Sequence, residues 1–177
     1  MIYHKPFNLS LDEFLKGEEY KDSQISLIEE YEGSFLSLMR NRAENCRYVN
    51  VGPIMYDMYT PSTFNFKPID SQIITLPSGY IGIHYRKTPS GVIVRDSQKR
   101  IIGFYVDSVV AISEQYLGCG LGTETIIVSS LLHSVNPALE LGPASYTPKG
   151  LEAHKSAWKS YRRFPERYIL QIKEPSG

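Results

Sequence analysis

The sequence predicts a single α/β (α+β) domain in which helices flank a set of short strands. Residues 22–42 carry apolar side chains at three- and four-residue spacing, which is typical of an amphipathic helix. From Tyr48 onward the pattern changes to short β-rich runs separated by prolines. Helical spacing returns after Thr147 and Pro148. With 177 residues, 42% of them hydrophobic, the chain is long enough to bury one core, so we expect residues 1–177 to form one domain.

Two helices are expected before the strands. Ser10-Leu11-Asp12-Glu13 has the form of a capping box, which predicts a short helix that ends at Gly17. A longer helix is predicted to begin near Asp22 or Ser23 and to end near Arg40 and Arg42, because cations are favoured at a helix C-terminus. The apolar face of the longer helix is formed by Ile25, Ile28, Tyr31, Phe35, Leu38 and Met39.

The middle of the chain is predicted to be mostly strands. Five strands are expected, over residues 71–76, 80–85, 91–95, 101–106 and 109–113. A Pro-Ser-Gly turn joins the first two, and residues 96–99 turn the third strand into the fourth. These signals favour consecutive hairpins.

Helices and short strands alternate in the C-terminal part. Residues Thr123–His133 are apolar enough for a buried helix, and Ala138–Leu141 reads as a strand. Thr147 then caps a helix that has Pro148 at its first position. This helix is predicted to end near Arg163, with Leu151, Trp158 and Tyr161 on its buried side. A last strand is predicted over Arg167–Ile172.

Composition excludes several classes of function. Lys plus Arg and Asp plus Glu each total 19, so the formal net charge is zero, whereas a dedicated nucleic-acid binder normally has a basic excess. Cys46 and Cys119 cannot form a disulfide framework, and no Cys or His cluster has metal-ligand spacing. The sequence shows neither a membrane-spanning apolar run nor a signal-peptide pattern. We therefore expect a cytoplasmic protein that binds no metal, nucleic acid or membrane.

The most informative stretch is a glycine loop between a strand and a helix. The strand that begins at Val109 leads to three alternating glycines, Gly118, Gly120 and Gly122, and a helix starts directly after them. Backbone N–H groups in such a loop converge on an anion, and the helix N-terminus adds partial positive charge. A Walker loop is excluded because it needs a lysine, and a dinucleotide fingerprint is excluded because Thr123 stands where its third glycine belongs.

This loop resembles the acyl-CoA loop of the GNAT (Gcn5-related N-acetyltransferase) superfamily, Gln/Arg-x-x-Gly-x-Gly/Ala, at the end of that family's fourth strand. Residues Gln115–Gly120 match the motif literally. A register shifted by two residues, Leu117–Gly122, places Thr123 as in the usual Gly-x-Gly-Thr helix start but puts leucine in place of Gln or Arg. Both registers remain open.

The resemblance covers roughly residues 90–172 and implies a GNAT-like, mixed but mostly antiparallel sheet flanked by helices. It makes residues 91–172 an acyl-CoA-binding core, with a cleft between strands that splay apart near Val110 and Ala138. Residues 1–90 would form the variable half that binds the acceptor. The residues implied in acyl-CoA binding are Val110, Ile112, Gln115, Leu117, Gly118, Cys119, Gly120, Leu121, Gly122 and Thr123.

The same resemblance implies an acyl-CoA-dependent N-acyltransferase, with acetyl-CoA as co-substrate, no metal, and an amine of a small molecule or protein as acceptor. Tyr161 is the expected proton donor to the leaving thiolate, with His154 as the alternative. Glu114, directly after the strand, is the expected general base. Asp107, before the start of the same strand, is either a base or a turn residue.

Several alternatives stay open at this point. Tyr161 is as well explained as a core aromatic residue. The chain as a whole is compatible with a GNAT-fold module that binds acyl-CoA without turnover, and with an interaction protein whose glycine turn is only structural. A homodimer is compatible with each of these functions.

Overall fold

The computed structural model describes residues 3–19, 71–86, 91–98, 101–106, 109–112, 116, 118–139 and 144–173. Within these ranges the chain forms a mixed α+β fold, an antiparallel sheet packed against helices. The predicted helix near residues 22–42 lies outside them, as do Asp107, Glu114, Gln115 and Leu117.

A six-stranded sheet forms the centre of the fold. Its strands are β2 (Ser71–Thr75), β3 (Ile81–Tyr85), β4 (Gly91–Arg95), β5 (Ile101–Val106), β6 (Val109–Ile112) and β8 (Gln171–Lys173). Their order is β6-β5-β4-β3-β2-β8, and every neighbouring pair is antiparallel. The predicted hairpins are therefore confirmed. The turn between β2 and β3 closes as expected, with Gly79 at a φ of +99° and its N–H donating to the Leu76 carbonyl.

Both faces of the central strands are buried. Val92 and Val94 pack with Ile102 against Leu121 and Val128 of the following helix, α2 (Leu121–His133). The side chain of Ile93, between these two valines, lies on the opposite face of the sheet and is also fully buried. Burying a side chain of this size contributes about 1.5–3 kcal/mol, so the sheet and α2 form a stable platform for the loop that joins them.

The N-terminal segment packs on the last helix. A 3₁₀ turn (Lys5–Asn8) leads into helix α1 (Leu11–Leu15), and the Glu13 N–H donates to Ser10 Oγ at 3.2 Å, as the capping box predicts. The Ser10 hydroxyl in turn donates to the Glu13 carboxylate at 3.0 Å. Helix α1 ends on Lys16 in the left-handed region rather than on Gly17.

Gly17 has a different role from the predicted helix stop. It begins β1 (Gly17–Glu19), which pairs in parallel with β7 (Ala144–Tyr146) in a separate two-stranded sheet. A Cβ on Gly17 would lie 2.3 Å from the Ala144 carbonyl oxygen, so close strand approach requires glycine here.

The strand predicted over Ala138–Leu141 is wrong at its start. Pro137–Leu139 forms a 3₁₀ turn instead, because the Asn136 side chain accepts from the Ala138 N–H at 3.0 Å and stabilises a turn. The next strand, β7, pairs with β1 rather than with a strand of the central sheet. Val110 and Ala138 therefore do not form the predicted pair of splayed strands.

The last helix, α3 (Pro148–Arg163), begins as predicted, with the Gly150 N–H donating to Thr147 Oγ1 at 3.0 Å. Its most buried residues are His154, Ala157 and Tyr161. Beyond α3, Pro165–Tyr168 forms a 3₁₀ turn, so the predicted strand over Arg167–Ile172 is confirmed only in its last residues. No helix in the described ranges has the length and apolar character needed to cross a membrane.

Candidate functional site

The glycine loop reaches the surface at the start of α2. Gly118 and Gly120 have φ angles of +80° and +84°, in the left-handed region that glycine adopts most readily. Both are exposed, and a Cβ added to either would meet no atom of the described residues within 4 Å. Gly120 is the N-cap residue and has no side chain to cap the first-turn N–H groups. Such groups at a helix N-terminus bind anions readily.

The residues implied in acyl-CoA binding fall on three parts of this arrangement. Val110 and Ile112 lie on β6, which is at one edge of the described sheet. Leu121 is buried in the core, whereas Gly122 and Thr123 are half-buried in the first turn of α2. Exposed Cys119 donates its thiol to the Tyr116 carbonyl at 2.8 Å. Gln115 and Leu117 distinguish the two registers and lie outside the described residues, so both registers stay open.

A contact that the sequence did not suggest holds the start of α2 against the sheet. The Glu124 carboxylate accepts from Ser78 N at 3.0 Å and from Ser78 Oγ at 2.7 Å, in the turn between β2 and β3. Beside it the rings of Tyr80 and Tyr116 meet edge to face, with centroids 5.9 Å apart. Glu124 thus fixes the helix start, but its negative charge lies at the same end of α2 as any anion bound by the loop. The sequence carried one signal for this contact, which is that Glu124 is an acidic residue in the first turn of the predicted helix.

His154 is held in the core by both ring nitrogens. Nδ1 lies 2.6 Å from the Gly150 carbonyl oxygen, which can only accept, so Nδ1 carries the proton. Nε2 then accepts from the Tyr105 hydroxyl at 2.8 Å. The side chain is 2% exposed, and its burial lowers the pKa to about 4, outweighing the Gly150 contact that raises it. A neutral histidine with both nitrogens engaged is poorly suited to donate a proton, so this geometry does not favour the predicted alternative donor.

The buried His154 predicts a loss of stability in acid. The unfolded chain takes up a proton near pH 6.5 and the folded one only near pH 4, so stability is complete above pH 6.5 and falls as the pH drops toward 4. The loss due to this residue is up to roughly 3 kcal/mol of unfolding free energy. Urea denaturation of His154→Gln at several pH values should show a shallower decline over this window than the parent does. An equal decline in His154→Gln would contradict the assignment.

Tyr161 lies beneath the N-terminal segment. Its ring stacks on Phe7 at a centroid distance of 4.1 Å and meets Tyr3 at 6.2 Å, and the side chain is 8% exposed. The Tyr161 hydroxyl oxygen accepts from the His4 N–H at 3.3 Å. A hydroxyl that accepts at its oxygen still has its hydrogen to donate elsewhere. The geometry therefore fits a proton donor as well as a core aromatic.

The end of α3 lies at the same end of the molecule as the start of α2. Tyr168 is 6.0 Å from Tyr161 between ring centroids. Burial raises the pKa of Tyr168, and the charge of Glu124 in the first turn of α2 raises it further, against a lowering effect of Arg167. Strand β8 pairs Gln171 with Thr75, next to the turn whose Ser78 holds Glu124, so Tyr168, beside Tyr161, lies at the same end of the fold as the start of α2. Sequence reasoning overlooked Tyr168 because it fell within a predicted strand.

In the described part of the chain, no group of three or more His, Cys, Asp or Glu side chains is placed to hold a metal ion.

Comparisons with protein-family models, with curated proteins and with solved structures found no match for this chain. The functional interpretation therefore depends on the loop, the surrounding side chains and the resemblance of the motif.

Proposed function

We propose that the chain is an acyl-CoA-dependent N-acyltransferase that uses acetyl-CoA and transfers the acyl group to an amine. The observation that supports this most is the path from an edge strand, β6, through an exposed glycine loop into α2. Left-handed φ angles at Gly118 and Gly120, with open space around both, leave room for a ligand to approach the backbone.

In this proposal the loop and the strand bind different parts of the co-substrate. The N–H groups from Gly118 to Thr123 donate to the pyrophosphate of CoA. The outer edge of β6, at the margin of the described sheet, would offer backbone donors and acceptors to the amides of the pantetheine arm, as an edge strand offers them to an added strand. Binding at both places would orient the thioester beside β6, and such positioning accounts for much of the rate of acyl transfer.

The reaction itself requires one bond to form and one to break. The neutral amine attacks the thioester carbonyl, the C–N bond forms, and the C–S bond breaks with departure of the thiolate. Tyr161 would donate its hydroxyl proton to the thiolate, and the His4 N–H would stabilise the resulting phenolate. Glu114, the proposed base, would take the proton that the amine loses.

A second function is favoured by the packing of the two proposed proton donors. Tyr161 is almost buried under Phe7 and Tyr3, and His154 uses both nitrogens to hold the fold together. A chain in which both groups are purely structural would be an acyl-CoA-binding module without turnover. Its ligand would be the same, and its loop would act in the same way.

Two assays on the purified chain separate these functions. An enzyme binds CoA and releases free thiol from acetyl-CoA in the presence of amines. A module binds CoA but releases no thiol above the uncatalysed rate. A chain that neither binds CoA nor turns over acetyl-CoA would be the interaction protein, and the proposal would be abandoned.

A further inference from the structure

We infer that Arg163 and Arg167, at the C-terminal end of α3, form a binding site for a phosphomonoester dianion. The inference rests on the proposed function, because CoA carries such a group as the 3′-phosphate of its ribose. The site is separate from the glycine loop, which would bind the pyrophosphate.

One aromatic ring holds both guanidinium groups. The Arg163 guanidinium carbon lies 5.1 Å from the centroid of the Phe164 ring, and that of Arg167 lies 4.0 Å from it. Backbone hydrogen bonds fix the segment, since the Phe164 N–H donates to the Ser160 carbonyl and the Arg167 N–H to the Phe164 carbonyl. Both arginine side chains are exposed. Both guanidinium groups thus contact the same ring at an accessible surface.

Neither charge is balanced by a carboxylate in the described structure. Lys155 pairs with Glu152 at 3.8 Å further back along α3, and among the described residues Glu166 makes no ion pair with either arginine. The C-terminal dipole of α3 offsets part of the repulsion between the two cations. A bound dianion would offset the remainder.

The neighbouring Arg162 provides a contrast. Its guanidinium lies between the rings of Tyr3 and Trp158, at 4.6 and 4.5 Å from their centroids, and donates to the Phe7 carbonyl at 2.8 Å. Arg162 is therefore committed to holding the N-terminal segment. Among the described residues, Arg163 and Arg167 have no comparable contact beyond the ring of Phe164, so their guanidinium donors are available to a ligand.

A phosphate ester fits these donors best. The planar guanidinium donates two parallel hydrogen bonds, which match the spacing of phosphate oxygens. A dianion neutralises both arginines, which a carboxylate would not. Arg167 precedes Tyr168, and β8 beyond it pairs Gln171 with Thr75, next to the turn that holds Glu124 of α2, so one CoA molecule is suited to contact both places.

The test compares ligands that differ by one phosphate. CoA, dephospho-CoA, which lacks the 3′-phosphate, and inorganic phosphate are titrated by calorimetry into the full chain, the double variant Arg163→Gln/Arg167→Gln, and Lys149→Gln. Lys149 is an exposed cation at the opposite end of α3 and controls for net charge. Since both arginines are exposed, the double variant should fold; if it does not, the two single variants are compared in the same way.

We expect the parent and Lys149→Gln to bind CoA about tenfold or more tightly than dephospho-CoA, and the double variant to bind both equally. Equal affinity of the parent for both ligands, or an unchanged ratio in the double variant, would overturn the assignment and leave the glycine loop unaffected. If the parent binds neither CoA nor dephospho-CoA, the proposed function fails. The titration with inorganic phosphate then tests the arginine site by itself. Phosphate binding that requires both arginines would support the site, whereas phosphate binding that does not require them, or no phosphate binding, would refute it.

Discussion

Replacing Gly120 with valine is expected to abolish CoA binding in a protein that still folds. A Cβ at this position would meet no atom within 4 Å in the part of the chain that the structure describes, so the added side chain would occupy the space proposed for the pyrophosphate. The φ of +84° also disfavours a β-branched residue, at a cost of roughly 1–3 kcal/mol. Calorimetric titration should show the dissociation constant for CoA rising by about 100-fold or more, a loss of roughly 3 kcal/mol of binding free energy.

The matched control for backbone strain is Gly79→Val. Gly79 has a φ of +99° and the same open surroundings, but it lies in the turn between β2 and β3. This variant should lose similar stability and keep its affinity for CoA. If Gly120→Val binds CoA as well as the parent does, the loop has been wrongly interpreted in both registers.

The change Tyr161→Phe is expected to lower kcat by about 10²–10⁴-fold, the usual contribution of general acid catalysis. The affinity for acetyl-CoA should change little, because only the hydroxyl is removed and the stacking on Phe7 remains. The contact with the His4 N–H is lost, at a cost of about 1 kcal/mol in stability. Steady-state kinetics should therefore show a fall in kcat at nearly constant KM, as expected for an interaction made only in the transition state.

Tyr3→Phe controls for the removal of a phenol from the same cluster, since the Tyr3 ring meets that of Tyr161 edge to face. Its kcat should stay within about twofold of the parent value, far from the loss expected for a proton donor. If the kcat of Tyr161→Phe also stayed within about twofold of the parent value across the pH range, Tyr161 would be a core residue and not the proton donor. Tyr168, whose ring lies 6.0 Å away, would then be the next proton donor to test.

Local signals in the sequence predicted the parts of the fold that depend on neighbouring residues. The caps at Ser10 and Thr147 involve side chains that bond three residues along the chain, and both are confirmed. The hairpins were predictable for the same reason, because alternating apolar residues and turn residues lie close together in sequence. The glycine loop belongs to this group, since a strand, a turn and a helix follow one another directly.

Contacts between distant residues were not predictable in this way. The pairing of Gly17 with Ala144 joins opposite ends of the described chain, and neither residue carries a signal for the other. The Ala138 segment contains apolar residues that suit a strand, but the Asn136 side chain stabilises a turn. Likewise the burial of Tyr161 depends on Phe7, 154 residues earlier, so the spacing along α3 could not reveal how the N-terminal segment covers it.

Titration of the full chain with CoA tests acyl-CoA binding most directly. Calorimetry should give saturable heat, and the thermal midpoint should rise, because a ligand that binds only the folded state stabilises it by about 2.7 kcal/mol at 100 times its dissociation constant. If millimolar CoA produces neither heat nor a midpoint shift in the parent, the chain does not bind acyl-CoA and the proposed function is wrong.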